Sequence, residues 1–146
     1  MAVEDSKAVQ LSLPLPRSLD TRIYIRLSTR AKAIMLSLTT ASQDELGSAA
    51  PMGSFIYALP NKFDSSQPLA TNLFPHEPTL EFTTRMAKLL ARKAGLPVYV
   101  TNSISFANAG MGGTVEEEME VFKNIVEVVL PKIKDAGIGA TAVNGN

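Results

Sequence analysis

Cysteine is absent from the 146 residues, which removes disulfides, thiolate zinc sites and cysteine nucleophiles in one step. Histidine occurs once, as His76, beside Glu77 and between Pro75 and Pro78. One histidine without cysteine cannot complete a His-rich metal site, and a Ser-His-Asp triad would rest wholly on this position. A solvated loop histidine is the better reading. Neither sign of charge is in excess, with 14 basic and 14 acidic residues, so no global field favours nucleic acid or an anionic membrane. No apolar run approaches the ~18 residues of a membrane span, and the opening MAVEDSKAV has acids where a signal peptide carries a basic region. The expectation is a soluble, intracellular chain without cofactor, metal or catalytic residues.

What is present suits one globular domain. The hydrophobic fraction of 45% and charged fraction of 19% are ordinary, and a chain of this length buries roughly two-thirds of its unfolded surface. AVQLSLPL (8–15) alternates like a half-buried strand that Pro14 and Pro16 confine to an edge or end. In TRIYIRLS, Ile23, Ile25 and Leu27 oppose Arg22, Tyr24 and Arg26, the period of two that a strand requires. A hairpin leads to AIMLSLTT (33–40), where Ile34, Leu36 and Leu38 lie on one side and Ala33 and Met35 on the other. A strand apolar on both sides calls for two covers. GSFIYALP (53–60) reads as a fourth strand, 61–78 as a long proline-bearing loop, and Leu96–Ser103 as a further strand. The segment 104–106 is a candidate short last strand.

Two helices are expected. The first starts near Thr79, places Phe82, Met86, Leu89 and Leu90 on one stripe, and sets Arg85, Lys88 and Arg92 beside it. Gly95 and Pro97 mark its end. The second is opened by a Thr114/Glu117 capping box and spreads apolar residues over an arc of roughly 200°, more than one sheet can cover. Pro131 should bend or end it. The predicted architecture is α+β: an antiparallel sheet of about six strands with both helices on one face and the other available to a partner chain. Residues 1–136 form the single domain and 137–146 a disordered tail.

Three patterns invite functional readings. Gly110, Gly112 and Gly113 before a helix suggest a phosphate loop of an enzyme, but the spacing fits neither the P-loop nor the dinucleotide fingerprint, no Lys follows as a phosphate ligand, and Glu116, Glu117 and Glu118 would repel a phosphate; a flexible hinge before a self-capped helix is the better reading. Arg22, Arg26, Arg30 and Lys32, with Tyr24 among them and no acid between Thr21 and Gln43, could bind single-stranded nucleic acid. This is the alternative to a partner-facing surface, which is favoured because one tyrosine makes a thin stacking platform. The glutamates of 116–120 spray around a helix axis rather than converge on a cation.

The segment TTRMAKLLARKAGLPVYVTNSI resembles the signature region of the proteasome assembly chaperone 4 family, with Leu90, Ala91, Arg92, Lys93, Val98, Val100, Asn102 and Ser103 carrying the match. IYIRLSTRAKAIMLSLTT resembles the family's central strand pair, and EEEMEVF a stretch of its last helix. The likeness spans about 8–134 and departs in the loop 61–78, the glycine-rich 109–113 and the end of the chain. It implies a non-enzymatic chaperone of cytoplasm and nucleus, without cofactor. Its heterodimer with a proteasome assembly chaperone 3-like protein would bind α-type proteasome subunits and promote α-ring assembly, with no nucleic-acid or membrane partner. The residues expected to face a partner are Arg22, Tyr24, Arg26 and Met35 on the sheet and Val121, Ile125 and Val128 on the last helix.

Overall fold

Alternation with a period of two organises the first half of the chain. In the computed structural model, which describes residues 7–30, 32–47 and 49–136, it yields β1 (Lys7–Pro14), β2 (Arg22–Arg30), β3 (Ala33–Ala41) and β4 (Ser54–Leu59). β5 (Leu69–Phe74), α1 (Glu77–Ala94), β6 (Val98–Ser103) and α2 (Val115–Asp135) complete the order. Residues 1–6 and the expected tail 137–146 lie outside the described residues.

The strands form one six-stranded sheet in the order β1-β2-β3-β6-β4-β5. It is mostly antiparallel, with one parallel pairing, β3 with β6. The chain leaves the sheet after β3, builds β4, β5 and α1, and returns β6 into the gap between β3 and β4. β1, which ends in Pro14, is an edge strand, where a residue lacking an N–H costs no ladder bond.

The core lies on one side. Ile23, Ile25, Leu27, Ile34, Leu36, Leu38, Ile56, Val98 and Val100 are buried there with Met86, Ala87, Leu90 and Ala91 of α1. Val121, Ile125, Val129 and Ile133 of α2 complete the cluster. Both helices thus cover the same sheet face. α1 begins after an extended His76, with a proline in its first turn, and ends at Gly95, whose φ of 69° is left-handed and whose N–H donates to Ala91 O at 2.9 Å. That conformation costs glycine little, and Arg92 and Lys93 of the last turn oppose the dipole's negative end.

Two expectations need correction and a third is narrowed. The stretch 61–78 is not one loop, because it contains β5, and α1 starts within it at Glu77. β5 is an edge strand almost wholly exposed, so no apolar alternation announces it. The segment 104–106 forms no strand, although Ile104 is buried. α2 does not end at Pro131 but runs on to Asp135, the lost N–H falling in a final turn at the solvent side, where Pro131 is exposed.

Candidate functional site

The register assigns every strand residue to a face. Ser12, Tyr24 and Thr39 lie abreast, as do Gln10, Arg26 and Ser37. Ser28 pairs with Met35, and Met35 with Tyr99. All of these project from the face that the helices do not cover, because their neighbours Ile23, Ile25, Leu27, Ile34 and Leu36 are the buried ones. Arg22, Tyr24, Arg26 and Met35, expected to share a partner surface, are therefore brought together on the open face. Arg22 is held there by its Nε and Nη2, which donate to Ser12 Oγ at 3.2 and 3.0 Å.

Val121 and Ile125 are elsewhere. Both have no solvent exposure and belong to the core under α2, so neither can face a partner. Val128 is partly buried against that core, across the sheet from the other four. The physical reason is the row of every fourth residue, Glu117, Val121, Ile125, Val129 and Ile133, which is the buried set of α2. The surplus apolar surface of the helix is instead at Val115 and Met119, which are exposed.

The open face also holds residues absent from the expected set. Tyr57 and Tyr99 are cross-strand partners on β4 and β6, with ring centroids 4.5 Å apart and planes 28° apart. Phe55 joins them at 6.2 Å from Tyr99. Desolvation in this stack, and next the Tyr99 phenol itself, push the Tyr57 hydroxyl above the ordinary tyrosine range. Met35 borders the cluster on one side, and Leu69 and Phe74 of β5 on the other, all three more than 40% exposed. A register shift beside Phe55 pairs it with Phe74 and Ile56 with Asn72, leaving Leu73 as the extra residue of a bulge. The signal in the sequence is the fourth strand, where Phe55, Tyr57 and Leu59 alternate with Ile56 and Ala58. It is apolar on both sides, as the third strand is.

The glycine-rich segment is explained from inside the molecule. Glu117 has no exposure, and its carboxylate accepts the N–H groups of Met111 and Gly113 at 2.8 Å each and of Thr114 at 3.2 Å. Arg17 lies 3.4 Å from the same carboxylate and 3.3 Å from Glu120. Burial pushes the Glu117 carboxyl upward, but the three backbone donors and Arg17 outweigh it and hold the group below its usual range. The amides that a phosphate would need are thus occupied by the protein's own anion. Arg17 reaches this position from a left-handed backbone, φ 56°. His76 contributes its backbone: its N–H donates to Ser54 Oγ and its carbonyl accepts from the same hydroxyl, both at 2.9 Å.

Among the described residues no group of three potential ligands could hold a metal ion, and no helix is long and apolar enough to cross a membrane. The fold is thus an α+β sheet whose one face is sealed over the core by two helices and whose other face is open, aromatic and partly basic. The family model for proteasome assembly chaperone 4 matches residues 22–104, more than half of the chain, and the protein belongs to that family, whose role is that of an assembly chaperone. A solved chain from the crystal structure of a chaperone complex for yeast 20S proteasome assembly shares the fold, with a TM-score of 0.62 at 14% identity, covering 90% of this chain and 98% of that one. No curated protein sequence matches.

Proposed function

We propose that the protein acts as one half of a heterodimer with a related small chaperone, docks that partner on its open sheet face, and in the pair holds an α-type proteasome subunit during α-ring assembly. The observation that carries the reading is the Tyr57–Tyr99 stack, bordered by Met35, Leu69 and Phe74 on a sheet face that no helix covers. Large aromatic and methionine side chains left at the surface are the usual anchors of protein interfaces.

The size is right as well. Five inter-strand spacings of ~4.8 Å and strands of six to nine residues at ~3.3 Å each give a face of roughly 500–700 Å² in projection. A stable interface takes about 800 Å² of accessible surface per partner, and accessible area exceeds projected area. The basic half of the face, Arg22, Arg26 and Arg30, suits a partner that places carboxylates opposite β2. The mechanism is scaffolding by binding energy alone: the pair fixes a subunit where its neighbours dock, then leaves.

Purification of the tagged protein from its own cells, with mass spectrometry of what accompanies it, tests the assignment. A second small chaperone and at least one α-type subunit are expected. Recovery of neither overturns it. The nucleic-acid alternative predicts retention of single-stranded oligonucleotides at moderate salt that is lost with Tyr24→Ala, and the chaperone reading predicts no such retention.

A further inference from the structure

The helix layer carries a second exposed apolar feature, separate from the sheet face. The N-terminal half of α2 and the first half of α1 enclose a groove of about 750 Å³. Phe82 and Phe122 are its aromatic residues, edge to face with centroids 5.2 Å apart. Val115 and Met119, one turn apart on α2, flank them at 68% and 59% exposure. Nothing in the core accounts for these two, since the buried row of α2 runs through Glu117, Val121 and Ile125. A paired apolar exposure beside two partly buried aromatics is the pattern of a docking groove rather than of scattered surface residues.

Charge decides what fits. Glu81, Glu116, Glu118 and Glu120 line the same groove, against the cations Arg85 and Lys123. Arg85 is drawn over the Phe122 ring, 5.4 Å from its centroid, and Glu120 is engaged by Arg17. The remaining carboxylates, Glu81, Glu116 and Glu118, are exposed. The lining as a whole sets four carboxylates against two cations, so the rim is net acidic, less so where Arg17 pairs with Glu120 and where the α2 dipole offsets charge at its N-terminus. That balance favours a basic segment over an acidic one.

We propose that this groove docks a basic protein segment, in which one or two large apolar side chains insert between Met119, Val115 and the aromatic pair while adjacent Lys or Arg residues meet Glu81, Glu116 and Glu118. The site is built from helices alone, so it stands whether or not the sheet face binds a sister chaperone. A helix-in-groove or extended segment with an apolar anchor satisfies the geometry, and rim charges of this kind set approach rate and selectivity more than affinity.

Random-peptide display on the full-length protein, with the same selection repeated on the Val115→Ser/Met119→Ser variant, tests this. Both positions are exposed, so the variant should keep the thermal melting of the parent. Expected are peptides that pair Leu, Phe or Met with Lys or Arg, that bind the parent at least tenfold more tightly than the variant, and that weaken at least threefold when Glu116 and Glu118 become Gln. The proposal is overturned if no peptide is enriched, if every enriched peptide binds the variant equally well, or if the enriched sequences are acidic. A ligand of the open sheet face would be unaffected by these substitutions and lost with Tyr57→Asp, so the two surfaces are distinguishable.

Discussion

Glu117 shows how one side chain can settle a local structure and remove a function at once. As a capping-box residue it is legible in the sequence, but its burial is not, because Arg17 and the amides of residues 111–114 that make it tolerable come from segments 100 and about five residues away. Its folded-state carboxyl titrates below the ordinary glutamate value, so the unfolded chain binds more protons in the interval between the two, and stability rises with pH there. The contribution is whole above the ordinary carboxylate range and is lost as the pH falls through the lowered folded value. Glu117→Gln should therefore lower the melting temperature at neutral pH and flatten its decline toward acid; an acid limb as steep as the parent's would show that the carboxylate is not linked to folding. Gly53 is a second such residue. Its φ is 69°, and a Cβ built on it would overlap the carbonyl oxygen of Asn102, so Gly53→Ala should cost more than about 1 kcal/mol in a thermal melt.

Among the elements, β2, β3 and α1 follow from their own residues: alternation, a two-sided apolar strand and a glycine-capped amphipathic helix. β5 was not legible, since an edge strand exposed on both faces has no burial pattern to impose on its sequence. Nor was the parallel β3–β6 pairing, which depends on where a returning strand finds a gap and not on any residue within it. The face of α2 was misassigned because a charged residue, Glu117, sits in its buried row while the apolar Val115 and Met119 sit outside it. A spread of apolar residues around a helix says that a second surface exists, and only packing says which. The assignment of faces predicts a contrast. Ile125→Ala should destabilise the isolated chain by about 3 kcal/mol in chemical denaturation, whereas Val128→Ala, only partly buried, should cost under about 1.5 kcal/mol. Equal losses would place both on the same side of the helix.

At the scale of the whole molecule, the helices seal one face of the sheet and leave the other with a charge divided in space: aromatic and neutral over β6, β4 and β5, basic over β2. A net charge of zero conceals that division. Association through the open face should accordingly show an on-rate that falls several-fold between about 50 and 500 mM salt, with a smaller change in dissociation, in surface-binding kinetics. The family could be read from the α1–β6 junction, and Tyr99 of that junction also stands on the open face; its stacking partner Tyr57 lies on β4, a neighbour of β6 that the sequence does not disclose. The central claim is that the uncovered sheet face is the partner's seat. The affinity of the co-purified small chaperone for the parent, Met35→Asp and Tyr57→Asp tests it most directly. Met35 is exposed and Tyr57 half-buried, and both lie outside the core cluster, so in variants whose circular dichroism matches the parent's, affinity should drop at least a hundredfold; affinity within threefold of the parent, in folded variants, would contradict the account.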